Sequence, residues 1–267
     1  MPQVYTTDHS SKVLQTHSWR TAQNSAPHLI PYIKPTDRIL DIGCGPGSIS
    51  VSLAKLVPEG SVTGVEYVSD PLPSARALAS AEGVTNITFQ EGDIHSLPFE
   101  DNVFDIVHAH QVLQHIADPV LALREMKRVV KTGGMVSCRE SAELSWYPEN
   151  EGIKLWRDVT ERMQRASGGH PHPGRMIHCW ALEAGYERGD VKRGAGAWCF
   201  GSDQEREYWG GSMEGRARES GFAQRIVEEG FAKASDLEAI AQGWRGFVED
   251  KDAWFGLLHG EILCWKS

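Results

Sequence analysis

An aspartate followed by three glycines at every second position, Asp41-Ile42-Gly43-Cys44-Gly45-Pro46-Gly47, carries the most specific chemistry in this chain. The stretch follows the apolar run Ile39-Leu40 and leads into Ile49, Val51 and Leu53, so it turns a short strand into a helix. Such a turn presents backbone N–H groups and the positive end of a helix to a ligand. Glycine is required where the chain turns sharply or where a side chain would hold the ligand off. A dinucleotide fingerprint, G-x-G-x-x-G, needs its third glycine at position 48, where Ser48 stands. Asp41 would repel a pyrophosphate and attract an ammonium group. The turn formed by Asp41, Gly43, Cys44, Gly45 and Gly47 therefore points to an amino-acid-bearing nucleoside. Glu66 closes the apolar run Val62 to Val65, about 20 positions beyond the glycines, where a strand-end carboxylate can accept both ribose hydroxyls. The competing reading of Glu66 is an ordinary surface glutamate.

The glycine turn resembles the first motif of the class I S-adenosylmethionine-dependent methyltransferases. The chain is similar to their small-molecule branch, which includes the ubiquinone/menaquinone-biosynthesis type. Gly92-Asp93, Leu97-Pro98-Phe99 and Phe104-Asp105 extend the likeness, which is close over residues 17–141 and holds in outline beyond. The resemblance implies S-adenosylmethionine as cofactor and S-adenosylhomocysteine as product. It also implies that Asp93 accepts from the adenine amino group and that Ile94 covers the ring; Tyr67, following Glu66 at the strand end, is placed to lie against the adenine, with plain packing as the alternative. Arg20, on a leading helix, is expected to reach the methionine carboxylate; a plain surface arginine is the alternative. His110 and Gln111 stand where the family places groups beside the methionine portion. His110 is the candidate catalytic base, because methyl transfer to a hydroxyl or activated carbon requires a proton to leave and imidazole titrates near neutrality. A site that works by proximity alone is the competing reading. His115 is expected to brace this corner, and Asp105 to be structural.

These residues need strands to carry them. Short apolar runs at 39–42, 62–65, 87–89, 104–109 and 135–139 alternate with helical patterns, which predicts a parallel sheet covered on both faces. The expected fold is α/β: a Rossmann-like, seven-stranded, mostly parallel sheet with helices on both faces. As the resemblance implies, its last strand, within 253–265, runs antiparallel and inserts beside the fifth. Residues 1–16 read as a polar arm, and a helix is expected from His17 through Tyr32, weakened by Pro27. The Lys131-Thr132-Gly133-Gly134 stretch is expected as a turn. One domain spanning 1–267 is expected, with segments 142–175 and 203–233 forming a helical cap broken at Gly168-Gly169 and Gly210-Gly211. Ser235 with Glu238 reads as a capping box. Eight of the nine tryptophans fall beyond Ser141, which suggests an apolar or aromatic acceptor unless they simply fill a core.

Composition narrows the partners. The net charge of −9 over 267 residues, without a basic run, argues against gripping a nucleic-acid backbone. No apolar run of membrane-spanning length occurs, and the N-terminus lacks an apolar signal core, so a cytoplasmic protein is expected. Five scattered cysteines without C-x-x-C spacing suit a reducing compartment and argue against zinc. His170 and His172 lack a nearby carboxylate or cysteine, so no metal is expected. The expected partner is a small-molecule acceptor, and a homo-oligomer is left open. A cofactor-binding protein without methyl-transfer activity is the alternative function. A nicotinamide-dependent oxidoreductase conflicts with Ser48 and Asp41.

Overall fold

The computed structural model describes residues 19–267, and the polar arm 1–16 and His17-Ser18 lie outside the described residues. Seven strands form one sheet: β1 (Arg38–Ile42), β2 (Ser61–Glu66), β3 (Ile87–Glu91), β4 (Phe104–His110), β5 (Val130–Tyr147), β6 (Val191–Phe200) and β7 (Trp254–Trp265). Their order is β3-β2-β1-β4-β5-β7-β6, so the last strand lies beside the fifth, and it runs antiparallel. Helices α1 (Ala22–Ser25), α2 (Ser48–Ala54), α3 (Leu72–Ala81) and α4 (Pro119–Val129) accompany the first five strands. Then come α5 (Glu151–Ala166) and α6 (Ile177–Glu183), and α7 (Asp203–Glu219), α8 (Gly221–Glu228) and α9 (Ala234–Glu249) separate β6 from β7. No described helix is long and apolar enough to cross a membrane.

The strands are apolar on both sides because both sides are covered. Leu40, Ile42, Val107, Ala109, Val136, Cys138 and Ile262 pack on one face with Leu123 and Met126 of α4. Ile39, Ile106, Met135 and Leu263 pack on the other with Ala22, Leu29, Ile49 and Leu53. β1 pairs in parallel with both β2 and β4, placing Asp41 opposite Gly64 and His108. The order reverses at β1, which is where an open α/β sheet leaves a crevice beyond its carboxyl ends.

Three local expectations are corrected. The leading helix stops at Ser25 and a 3₁₀ turn covers Ile30–Tyr32. Pro27 excludes its predecessor from helical geometry, and Ala26 sits at φ −134°, ψ 35°. The Lys131–Gly134 stretch joins a ladder instead of turning, since Gly133 N–H donates to Lys266 O and Lys266 N–H to Gly134 O. α7 runs unbroken through Gly210-Gly211. A Cβ on Gly210 would lie 2.7 Å from Val248 Cγ2, so this glycine permits close helix packing and no hinge is needed there.

The described chain divides into two compact units, one including 19–142, 172–196 and 259–267, the other including 143–171 and 197–258. Within the second unit, Trp156, Trp209, Trp244, Phe200, Phe247 and Phe255 form an aromatic core, with Trp209 stacked on Phe200 at 4.5 Å. α9 begins two residues before the expected capping box, with Asp236 accepting from Lys233 N–H.

Candidate active site

Gly43, Gly45 and Gly47 all have positive φ (66°, 51° and 83°), a backbone region that other residues enter at a cost. They differ in what surrounds them. A Cβ on Gly43 would meet Val112 Cγ2 at 2.4 Å and one on Gly47 would meet Ala75 Cβ at 2.8 Å, whereas nothing lies within 4 Å of one on Gly45. The outer two glycines fit the turn against the protein, and the middle one faces open space. Gly45 N–H donates to Glu66 Oε2 at 2.8 Å, and Tyr67 N–H donates to Oε1 at 2.9 Å. The glycine turn and the end of β2 thus meet at one carboxylate. Cys44 turns its thiol into the cluster of Val51, Ala75 and Phe89. Burial pushes that thiol well above its usual range, so Cys44 offers the site only its backbone.

Asp41 is 2% exposed and accepts the Ser50 hydroxyl at 2.5 Å. Burial raises its carboxyl to about 7, with Ser50 opposing the rise and the charge of Glu66 adding to it. This gives a testable sign. Below about pH 7 Asp41 is neutral in the ligand-free protein, and an ammonium-bearing ligand must ionise it. Affinity for S-adenosylhomocysteine should therefore rise with pH up to about 7, by at most ~10-fold per unit, and level off above it. Asp41→Asn should flatten that slope in calorimetric titrations; a wild-type affinity independent of pH between 5.5 and 7.5 would remove Asp41 from the ammonium site.

Asp93 Oδ1 accepts both the backbone N–H and Nδ1 of His95, each at 2.9 Å. Tyr67, just beyond the end of β2, is 45% exposed. Ile94 is buried with Leu97 and Val65, beneath the surface and not upon it.

The carboxyl end of β4 is polar and dry. Burial, then the charges of Arg20 and Arg139, hold His110 well below the ordinary imidazole range, so its ring is neutral at pH 7. Glu140 accepts the backbone N–H groups of Val112, Leu113 and Gln114 (2.8, 2.8 and 3.3 Å). Burial nonetheless pushes it up to about 8, against those bonds and the nearby charge of Arg20. Arg20 thus acts electrostatically on His110, Glu140 and His115, which places it at this end of the sheet. Gln111 holds φ at 54°, its N–H donating to Arg139 O, and its amide donates to His259 Nε2 at 3.0 Å. His115 accepts from the Gln114 amide at 3.0 Å and is held near 4, chiefly by burial. Among the described residues, no group of three or more His, Cys, Asp or Glu is arranged to hold a metal ion. Two grooves of 420 and 710 Å³ in the second unit are lined by none of the residues expected at the site.

A family model described as a methyltransferase domain matches residues 33–204. An uncharacterized methyltransferase of Schizosaccharomyces pombe is 37% identical over 272 residues, covering 96% of this chain and 94% of that protein. The chain belongs to the methyltransferase family. A demethylmenaquinone methyltransferase of Staphylococcus aureus is 37% identical over 112 residues, which cover 42% of this methyltransferase and 46% of that one. The fold also matches the crystal structure of a Bacillus halodurans protein assigned as a methyltransferase, at TM-score 0.58 and 20% identity, over 90% of this chain and 96% of that one.

The methyltransferase carries one feature that the reading of the sequence missed. On the face that holds Ile39, Ile106, Met135 and Leu263, the next inward positions toward the carboxyl ends of β1, β4 and β5 are polar and buried: Asp41, His108 and His110, Ser137 and Arg139, and, on β7, Glu261 and His259. The signal was present as polar residues at i, i+2 within otherwise apolar strands, in His108-Ala109-His110 and Ser137-Cys138-Arg139.

Proposed function

We propose that this methyltransferase binds S-adenosylmethionine at the Gly43–Gly47 turn and transfers its methyl group to a small molecule, apolar or aromatic in its body, through an ionisable hydroxyl or amine. The observation that supports this best is the meeting of Gly45 N–H with Glu66 Oε2 at 2.8 Å beside the open space at Gly45. When bound, S-adenosylmethionine supplies a methyl group already activated by its sulfonium. What this chain must do is hold and orient. Glu66 accepts the ribose hydroxyls, Asp93 and Tyr67 take the adenine, and Asp41 and Arg20 match the ammonium and carboxylate of the methionine part. His110, neutral and buried, accepts the acceptor's proton as the new bond forms. Most of the late tryptophans fill a core, so the polar end of β4 says more about the acceptor's reacting group than they do about its body.

The test is release of S-adenosylhomocysteine by the full chain with a panel of phenols, hydroxy acids and amines. Turnover with one class and not the others is the expected result. Tight binding of the cofactor with no turnover across the panel would favour a binding protein instead.

A further inference from the structure

The buried polar row on the sheet contains a chain of side chains with a definite direction. His28 Nε2 lies 2.9 Å from Ser137 Oγ, and Ser137 Oγ lies 3.2 Å from His108 Nδ1. At the other end, His28 Nδ1 faces Glu261 Oε1 at 3.6 Å, an ion-pair distance and not yet a hydrogen bond. Glu261 Oε1 in turn accepts Arg139 Nε at 3.0 Å. Ser137, His108 and Glu261 are 0%, 0% and 6% exposed, so water does not substitute for these links.

One hydroxyl between two imidazoles allows two proton arrangements. If His28 Nδ1 were bare, its lone pair would face an anionic carboxylate, and His108 would bury an Nε2–H that has no acceptor. If His28 carries its proton on Nδ1, that N–H points at Glu261 and Nε2 accepts the Ser137 hydroxyl. Ser137 Oγ then accepts His108 Nδ1–H, and His108 Nε2 is left as a bare lone pair. That atom is fully buried and has no hydrogen-bond partner. The second arrangement aims every donor at an acceptor and leaves one base facing its interior neighbours.

We propose that His108, Ser137, His28 and Glu261 form a proton relay across the sheet that receives the proton released at His110 during methyl transfer. This rests on the proposed function for the source of the proton. The acceptor's O–H bond breaks as its oxygen bonds to the methyl carbon, and the C–S electron pair stays on sulfur. The proton passes to the His110 ring. His110 and His108 are one pleat apart on the same strand face, roughly 7 Å between their backbones, and the proposed step between the two rings runs through one buried water. A proton arriving at His108 Nε2 displaces Nδ1–H onto Ser137, the Ser137 proton onto His28 Nε2, and the His28 Nδ1 proton onto Glu261. Each ring gains a proton at one nitrogen and loses one at the other, Ser137 Oγ gains one and loses one, and the proton ends on the Glu261 carboxylate, which it neutralises. Burial holds His28 down to about 3 and His108 to about 4, which keeps both rings neutral carriers at pH 7. Arg139 on β5, His110 on β4 and Glu261 on β7 are the charged or titratable groups that face them.

Glycine in β6 fits this arrangement. A Cβ on Gly196 would lie 2.4 Å from Glu261 Oε1, so the space beside the carboxylate is kept for its own oxygen.

The test uses the full chain, ¹⁵N-labelled at histidine, with S-adenosylhomocysteine added. Long-range ¹H–¹⁵N spectra at pH 7 should show Nδ1 protonated and Nε2 bare in both His28 and His108. On acidification each ring should report the same two macroscopic steps, because the pair titrates as one coupled system. Ser137→Ala should uncouple them, and Ser137→Thr, which keeps the hydroxyl, should restore coupling. With an acceptor in hand, Ser137→Ala should lower kcat about tenfold with cofactor affinity kept, and Ser137→Thr should recover it. The opposite tautomers, or independent titration in the parent protein, would overturn the relay. So would turnover unchanged in Ser137→Ala. If no acceptor is turned over, the proposed function fails, while the tautomers and titrations still decide the chain.

Discussion

Replacing Glu66 by alanine should weaken S-adenosylhomocysteine binding by about 2–4 kcal/mol, or roughly 30- to 1,000-fold. Two charge-assisted hydrogen bonds to ribose are lost. The same carboxylate organises the turn, because Gly45 N–H and Tyr67 N–H both donate to it. Part of the loss should therefore come from a less ordered turn. Glu66→Gln separates the two contributions, since it keeps an acceptor oxygen for one backbone N–H and loses the charge. Intermediate affinity is expected from it. Calorimetry with unchanged affinity in Glu66→Ala would place the ribose elsewhere.

The second large effect concerns His110. His110→Ala and His110→Gln should lower turnover by about a hundredfold or more, with cofactor affinity within a few-fold of the parent. The physical basis is a neutral imidazole, dried by burial and kept unprotonated by Arg20 and Arg139. With its pKa held well below the usual value, His110 stays in the basic form throughout pH 6 to 8. At saturating cofactor, kcat should therefore show no acid limb in that range. If turnover in both variants stays within a few-fold of the parent, His110 is a wall of the cofactor site and the reaction proceeds by proximity.

What could be read in the sequence was local. Asp41, the alternate glycines and Glu66 lie within one strand–turn–helix–strand passage, so their spacing alone carries their relation. Asp93 and the antiparallel last strand were reached through the family resemblance. The partner of His110 and Gln111 was out of reach for a different reason: His259 comes from β7, about 150 residues away in the chain, and only the insertion of β7 beside β5 brings it near. His28 belongs to a turn whose path Pro27 decides. Gly210-Gly211 misled in the opposite direction, since low helix propensity suggested a break where tertiary packing against Val248 and Phe247 favours a continuous helix. A polar residue at every second position in a buried strand was legible and was passed over.

The central claim is that the Gly43–Gly47 turn, Glu66 and Asp93 together hold S-adenosylmethionine at the carboxyl end of the sheet. A crystal structure of the full chain with S-adenosylhomocysteine tests it most directly. The account predicts both ribose hydroxyls on the Glu66 carboxylate, the ligand's backbone-facing edge in the open space at Gly45, the adenine amino group on Asp93, and the sulfur on the His110 side of β4. A ligand bound away from Glu66, or a nucleoside lying across the turn with Glu66 still engaged only by Gly45 and Tyr67, would contradict it.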